Sequence, residues 1–220
     1  MTNPRNRDQK TYVVVFGANN NGSRAFCTFL AEHGYSIILI DIDQSLLNAA
    51  EKNLIKEFPK VSLMKIKMDE FEEGEALRIT KHVNKLGDVI KGFVITKNVM
   101  FNEQNSKKFE DLNFDEIHKI MSVNNEMMVG LLNVFLKPLK RAEKPFIINL
   151  KNHKYESEDE MIYWDLIYYS TSRYSTMMLE NIEKAEKKIK SINVTVNYNS
   201  LKKEEDKERL CMKTFNYLGI

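Results

Sequence analysis

Strand-like and helix-like hydrophobic patterns alternate along this chain, and the alternation constrains its fold more than any other feature. Short runs of β-branched and apolar residues predict strands, and longer segments with apolar residues at helical spacing predict helices. The predicted strands cover residues 12–16, 37–40, 61–66, 92–96, 145–150 and 193–198. A first helix is predicted after a polar turn at 17–22, and further helices cover 43–58, 70–86, 114–139 and 168–190.

Strands that alternate with helices require a parallel sheet whose two faces are covered. Right-handed crossovers then produce the doubly wound order of a Rossmann-type fold. We therefore predict an α/β fold with a mainly parallel sheet of about six strands and helices on both faces. The chain of 220 residues has the length of one domain, so residues 1–220 are predicted to form a single unit.

Composition narrows the classes of function. The sequence is 43% hydrophobic and 29% charged, which is typical of a packed globular chain. A net charge of +2 argues against a nucleic-acid partner. No apolar run approaches the ~18 residues needed to cross a bilayer, and the first residues lack the apolar core of a secretory signal. We expect an intracellular protein, cytoplasmic or mitochondrial, without a transmembrane segment.

The cysteines and histidines do not suggest metal chemistry. Cys27 and Cys211 are far apart in the sequence, and a reduced intracellular chain is the simpler interpretation of two cysteines. The four histidines also lie far apart and show no ligand spacing. We therefore expect no metal site.

The turn after the first strand is the first candidate for a ligand site. A strand, a turn beginning at Gly17 and a helix N-terminus together form the usual setting for a dinucleotide phosphate. Here the chain resembles the short-chain dehydrogenase/reductase family, whose turn reads TGxxxGxG. Gly17 matches the first glycine, Asn21 and Ser23 take the places of the second and third, and Gly22 is displaced by one position.

Acidic residues after the second and third strands extend this candidate cofactor site. A carboxylate at Asp41 can accept hydrogen bonds from an adenosine ribose and repels a 2′-phosphate, so NAD(H) is favoured over NADP(H) if a dinucleotide binds. Asp41 or Asp43 can equally cap the next helix. Asp69 matches the family's adenine-contacting acid, and it too can be a helix cap.

The fourth strand carries a changed motif. The family's NNAG is replaced by Thr96, Lys97, Asn98 and Val99, so Thr96 is the residue that the resemblance places beside a cofactor. Lys97 brings a positive charge to the same place.

The resemblance also implies a set of catalytic residues. In the family a tyrosine is the general acid, a lysine four positions later lowers its pKa, a serine polarises the carbonyl and an asparagine completes a proton relay. The segment YSTSR resembles the family's YxxxK, which makes Tyr169 the acid and puts Arg173 in place of the lysine. Asn152 occupies the serine position and Asn124 the relay position. Arginine keeps the charge but not the compact geometry of an ammonium.

The last part of the sequence, CMKTFNYLGI, resembles the hydroxysteroid dehydrogenase and very-long-chain 3-ketoacyl-CoA reductase branch. The sequence ends there, without the segment that would form the family's seventh strand. The first hypothesis is a non-catalytic relative, a pseudoenzyme, and it rests on the departures at Asn21, Ser23, Lys97, Val99, Asn152 and Arg173. It would serve as a structural or nucleotide-binding subunit of a protein assembly or homo-oligomer, with NAD(H) or no cofactor. The second hypothesis is an active NAD(H)-dependent oxidoreductase that reduces a ketone on a steroid-like or acyl substrate.

Overall fold

A computed structural model describes residues 10–18, 20–68, 73–86, 89–96, 113–152, 161–196 and 201–220. The strands are β1 (Thr11–Phe16), β2 (Ser36–Asp41), β3 (Leu63–Lys67), β4 (Val89–Ile95), β5 (Phe146–Asn152) and β6 (Lys190–Val196). The helices are α1 (Asn21–Glu32), α2 (Gln44–Glu57), α3 (Glu73–Leu86), α4 (Phe114–Met121), α5 (Met127–Arg141), α6 (Met161–Ala185) and α7 (Glu204–Leu218).

The six strands form one parallel sheet in the order β3-β2-β1-β4-β5-β6. The prediction of a doubly wound α/β fold is therefore confirmed. The order reverses between β1 and β4, and in such sheets ligands bind beyond the carboxyl ends of the strands at this reversal. The sheet thus fixes where a site should be sought.

Two apolar clusters, one on each face of the sheet, hold the helices in place. One contains side chains of β1, β2, β4, α5 and α6, and the other contains side chains of β1, β2, α1 and α7. Gly92 in β4 leaves room for the ring of Phe146 in β5, because a Cβ at this position would lie 2.2 Å from that ring. Buried polar residues, Asp41 and Thr96, stand at the end of β2 and directly after β4.

The sixth strand and the last turn of α6 differ from the prediction. Helix α6 ends at Ala185, before the predicted end at 190, and β6 begins at Lys190. Ile189 is fully buried, and the Lys190 N–H donates to the carbonyl oxygen of Pro145 at 3.0 Å. A lysine-rich segment predicts a continuing helix, but burial of this isoleucine and pairing with the chain before β5 favour the strand.

The predicted long helix over 114–139 is present with one irregularity. A π-helical turn, Ser122–Glu126, separates α4 from α5. Such turns insert an extra residue and often mark functional positions. In the part of the chain that the structure describes, no helix is long and apolar enough to span a bilayer.

Candidate functional site

The turn after β1 is held together by its own side chains. Gly17 has a φ of 106°, a backbone conformation that favours glycine, and its N–H donates to the carbonyl oxygen of Ile40 at 2.9 Å. Asn20 is the N-cap of α1, and its Oδ1 accepts from the Ser23 N–H at 2.8 Å. In return the Asn20 N–H donates to Ser23 Oγ at 3.0 Å. This reciprocal capping box uses donors that an anion at the helix N-terminus would need.

Asp41 closes the same turn from the end of β2. The residue is 1% exposed, its Oδ2 accepts from the Ala18 N–H at 2.6 Å, and its Oδ1 accepts from the Asp43 N–H at 3.1 Å. The helix cap predicted as an alternative belongs to Asp43, whose Oδ1 accepts from the N–H groups of Ser45 and Leu46. The Asp41 carboxylate therefore links the end of β2 to the glycine turn through a hydrogen bond.

Thr96 connects the turn to β4. It is fully buried, and its Oγ1 donates to the carbonyl oxygens of Phe16 and Gly17, both at 3.0 Å. Asn20 Nδ2 donates in turn to the Thr96 carbonyl oxygen at 3.0 Å. The resemblance placed Thr96 beside a cofactor, and the structure shows it joining the carboxyl ends of β1 and β4.

A second polar cluster lies between the end of β5 and α6. Lys151 Nζ donates to the Ser172 carbonyl oxygen at 3.2 Å and also to Thr176 Oγ1. The same carbonyl oxygen accepts from Ser175 Oγ at 2.9 Å and from Thr176 Oγ1 at 2.8 Å. Partial burial lowers the pKa of Lys151, Glu180 opposes this shift and Arg173 adds to it. The sequence analysis missed this lysine, although it directly precedes Asn152.

Asn149 extends this cluster to β6. It is 2% exposed, and its Nδ2 donates to Ser175 Oγ at 3.1 Å and to Asn193 Oδ1 at 2.9 Å. The side chains of β5 alternate between the two faces, so Asn149 and Lys151 both point towards α6. Hydrogen bonds of Asn149 and Lys151 thus connect α6 to β5, and the bond from Asn149 to Asn193 extends the network to β6.

The backbone positions of two predicted catalytic residues, Asn152 and Tyr169, lie at this end of the sheet. Asn152 is the last residue of β5, and Tyr169 lies in α6 one turn before Ser172. Arg173 is exposed, whereas Lys151 provides the cation in contact with the helix. The side chains of Tyr169 and Asn152 lie outside the described set.

The relay position falls in the π-helical turn. The side chain of Asn124 is outside the described residues, but that of the next residue, Asn125, is described. Asn125 Oδ1 is buried without a hydrogen-bond partner, and its Nδ2 is 4.0 Å from the sulfur of Met121. A buried amide oxygen without a partner is costly and marks a place where a polar group would fit. Nothing in the sequence indicates that the amide oxygen of Asn125 is buried.

The remaining predicted cofactor residues are placed as follows. Asn21 and Gly22 are the first two residues of α1, and Gly22 is buried. Ser23 is fully buried, and Asp69 lies outside the described residues. Within the described ranges, no three histidine, cysteine or acidic residues come together as a metal cluster.

Groups of the turn after β1 already form hydrogen bonds with one another. Each oxygen of Asp41 accepts one backbone N–H group, although a carboxylate oxygen can accept a second hydrogen bond. The Ser23 N–H is already taken by the Asn20 side chain. The described residues therefore satisfy one another at the place where the fold would hold a cofactor.

Comparison with known proteins identifies the class. The sequence profile of the short chain dehydrogenase family matches residues 11–201, so the chain belongs to this family. The resemblance inferred from the sequence is confirmed. The family is one of oxidoreductases.

One curated relative is a very-long-chain 3-oxoacyl-CoA reductase-like protein of Arabidopsis thaliana. It is 24% identical over 155 residues, which cover 69% of this chain and 47% of that protein. The chain thus spans about half the length of this relative.

Solved structures share the fold at low identity. A short-chain dehydrogenase/reductase (glucose/ribitol dehydrogenase) from Brucella melitensis is 19% identical with a TM-score of 0.67, covering 86% of this chain and 73% of that one. An alcohol dehydrogenase from Thermococcus sibiricus, complexed with 5-hydroxy-NADP, is 16% identical with a TM-score of 0.71, covering 92% and 91%. A metagenomic short-chain oxidoreductase in complex with NADP is 15% identical with a TM-score of 0.71, covering 91% and 89%. At these identities the likeness concerns the fold alone.

Proposed function

We propose that this chain is a non-catalytic member of the short-chain dehydrogenase family that serves as a structural subunit of a larger protein assembly. The observation that carries the proposal is the closed turn after β1. Asp41, Asn20 and Ser23 satisfy one another and the turn backbone, and Asp41 is 1% exposed. A nucleotide that is bound only as a structural element, without hydride transfer, would still be compatible with this proposal.

The burial of Asp41 supports the proposal. Its carboxylate is 1% exposed and already accepts the N–H groups of Ala18 and Asp43. A ribose hydroxyl would reach the carboxylate only after the turn opened, and loss of the buried Ala18 N–H hydrogen bond would cost about 1–3 kcal/mol. This cost would weaken the binding of a dinucleotide.

An exposed apolar surface on α5 and α6 is suited to a protein partner or to a second copy. Tyr174 is 47% exposed and Met177 is 49% exposed, and both line an open groove with Leu136 and Ile182. Exposed apolar patches of this kind often mark protein contacts, and methionine adapts well to varied partners. We call this surface the α5–α6 groove.

Calorimetry with NADH and with NADPH tests the first part of the proposal. We expect no heat of binding up to about 1 mM of either nucleotide, a concentration that would reveal even weak affinity. The double variant Asn21→Gly/Ser23→Gly restores the family's glycines and serves as the comparison. Micromolar binding by the unaltered chain, with turnover that Tyr169→Phe abolishes, would overturn the proposal.

Sedimentation of the protein from its native source, under mild conditions, tests the second part. We expect a particle larger than one chain, and Met177→Glu should release the chain from it. Leu77→Glu is the matched control, because Leu77 is equally exposed, at 54%, but lies on α3. Recovery of free monomer alone would contradict an assembly role.

One observation favours a second candidate, an active NAD(H)-dependent oxidoreductase. Lys151 Nζ contacts α6 at Ser172 and Thr176, which share a helix face with Tyr169. Tyr169 would then be the general acid, Asn152 the polarising donor, Arg173 a charge beside the cofactor and Asn124 the relay, with hydride supplied by bound NADH. A ketone on a steroid-like or acyl molecule would be the substrate. Loss of NADH oxidation in Tyr169→Phe, with binding unchanged, would establish this candidate.

A further inference from the structure

We propose that a basic cavity at the amino-terminal end of the sheet binds a phosphate monoester, carried either by a small soluble molecule or by a lipid headgroup. The cavity lies where β1 and β4 begin and where α1 and α5 end. We call it the basal cavity, and its charged and aromatic lining residues are His33, Tyr35, Lys91, Arg141 and Glu143. It is at the opposite end of the strands from the turn after β1, so the proposal goes beyond the assembly role and does not depend on it.

The basal cavity has the dimensions of a small-molecule site. Its volume is about 470 Å³, and such sites commonly measure about 300–1,000 Å³. Gly34 belongs to its lining and has a φ of 76°, a backbone conformation that favours glycine. A Cβ on Gly34 would meet no atom within 4 Å, so there is open space beside the backbone at the end of α1.

The lining of the basal cavity has an excess of positive charge. Lys91 and Arg141 are cations, and Glu143 is the one carboxylate among the lining residues that the structure describes. Lys91 Nζ lies 5.6 Å from the centroid of the Tyr35 ring. Within the described residues, no hydrogen bond or ion pair engages the side chain of Lys91 or of Arg141. Both charges are therefore available to an anion.

Helix capping does not account for Arg141, although cations are favoured at helix C-termini. The end of α1 is closed by the N–H groups of Gly34 and Tyr35, which donate to carbonyl oxygens of its last turn at 3.1 and 2.9 Å. The end of α5 is closed by the Ala142 N–H at 3.0 Å and by Lys188 Nζ at 3.3 Å. Other donors thus fill the capping role at both helices beside the cavity.

The ring of His33 adds a third polar group in a fixed orientation. It stacks on the Phe29 ring with the centroids 4.0 Å apart, and its Nδ1 is 2.7 Å from the Phe29 carbonyl oxygen. Because Nδ1 must donate its proton to that oxygen, Nε2 is the nitrogen that can contact a ligand. Nε2 accepts from a P–OH group when the ring is neutral and donates to a phosphate oxygen when the ring is protonated.

A phosphate monoester matches these groups better than a carboxylate does. It has three terminal oxygens and a charge of about −1.5 to −2 at neutral pH. Arginine binds such a group through two parallel N–H donors, and lysine binds it as a point charge. One phosphate can therefore contact Arg141, Lys91 and His33 together, whereas a carboxylate has two oxygens and a single charge. The Glu143 carboxylate repels additional negative charge, which favours a single phosphate over a polyanion such as nucleic acid.

Titration with glycerol 3-phosphate, followed by amide chemical shifts in NMR spectra, tests the proposal. The buffer should contain about 0.15 M salt, so that long-range attraction is screened. We expect saturable shifts at the starts of β1 and β4 and at the end of α1. Arg141→Gln and Lys91→Met should each raise the dissociation constant about tenfold or more, because each removes a charged hydrogen bond. Lys137→Gln is the matched control, since Lys137 is an exposed cation one turn earlier on α5, and it should stay within about twofold.

Flotation with vesicles distinguishes the two sources of the phosphate. Phosphatidylcholine vesicles with phosphatidic acid present a monoester, and those with phosphatidylserine present a diester. Binding to the first vesicles alone, with loss in Arg141→Gln and competition by glycerol 3-phosphate, would assign a lipid source. Binding of glycerol 3-phosphate without binding to either vesicle would assign a soluble molecule. Both outcomes support the proposal.

Four results would overturn the proposal. The first is no saturable shift up to about 10 mM glycerol 3-phosphate, a concentration that reveals even millimolar affinity. The second is binding that neither Arg141→Gln nor Lys91→Met weakens. The third is equal affinity for succinate, or equal binding to both anionic vesicles, which would indicate general attraction of negative charge. The fourth is a set of shifts confined to the turn after β1, which would place the phosphate there and would also count against the proposed function.

Discussion

The turn after β1 and the contact between β5 and α6 lie at the same edge of the sheet, yet they use polar groups differently. In the turn, Asp41, Asn20 and Thr96 bind backbone groups of neighbouring strands and of α1. In the contact, a half-buried cation, Lys151, meets the Ser172 carbonyl oxygen together with two hydroxyl groups. The first cluster is closed, and the second retains an ionisable group of lowered pKa.

This difference shows where the family's chemistry could persist. In the turn, Asn20 caps α1, and Ser23, at the place of the family's third glycine, completes the capping box. Near α6, Arg173 stands where the family has a lysine, and the neighbouring strand β5 carries Lys151. Perturbed ionisable groups are commoner at functional sites, so any remaining activity should depend on the second cluster.

Removal of the carboxylate that closes the turn should have the largest effect. Asp41→Ala removes the acceptor of the buried Ala18 N–H and of the partly buried Asp43 N–H, and we expect a loss of about 3 kcal/mol in the free energy of unfolding, measured with urea. Asp43→Ala is the control, because that exposed cap should cost about 1 kcal/mol. Equal losses for the two variants would show that the turn is not the stabilised region we describe.

Thr96→Val should have the next effect, since it keeps the volume of the side chain and removes its hydroxyl. Two buried carbonyl oxygens lose a donor, and we expect a loss of about 1.5 kcal/mol. Thr80→Val removes a hydroxyl that donates within α3 and should cost less than about 0.5 kcal/mol. A loss at Thr96 no larger than this control would weaken the link between β1 and β4.

The sequence revealed the fold because its signals are local. Periodicity within each segment predicted all six strands, and the Gly17 turn was found because strand, glycine and helix are contiguous. The contacts of Lys151 with Ser172 and of Asn149 with Asn193 join residues far apart in the sequence, and no local pattern encodes them. The burial of Asn125 likewise depends on a π-helical turn that apolar spacing does not predict.

Ser175→Ala tests the neutral part of the β5–α6 contact. Its hydroxyl accepts from Asn149 and donates to the Ser172 carbonyl oxygen, and we expect its loss to cost about 1 kcal/mol in thermal or urea unfolding. Ser45→Ala removes an exposed hydroxyl and should cost less than about 0.5 kcal/mol. If Ser175→Ala costs as much as Asp41→Ala, the two clusters are equally rigid and the contrast between them fails.

The smallest effect should be the pH dependence that Lys151 adds to stability. Its pKa in the folded chain lies below the ordinary 10.5, so between the two values the unfolded chain binds more protons. Stability therefore gains from this group as pH rises through that window, and the free energy of unfolding relative to Lys151→Met should increase towards pH 10.5. Solvent screening keeps the change below about 0.5 kcal/mol. Lys151→Arg stays charged throughout, so its difference from Lys151→Met should be flat, and a lysine curve that falls with pH would contradict the lowered pKa.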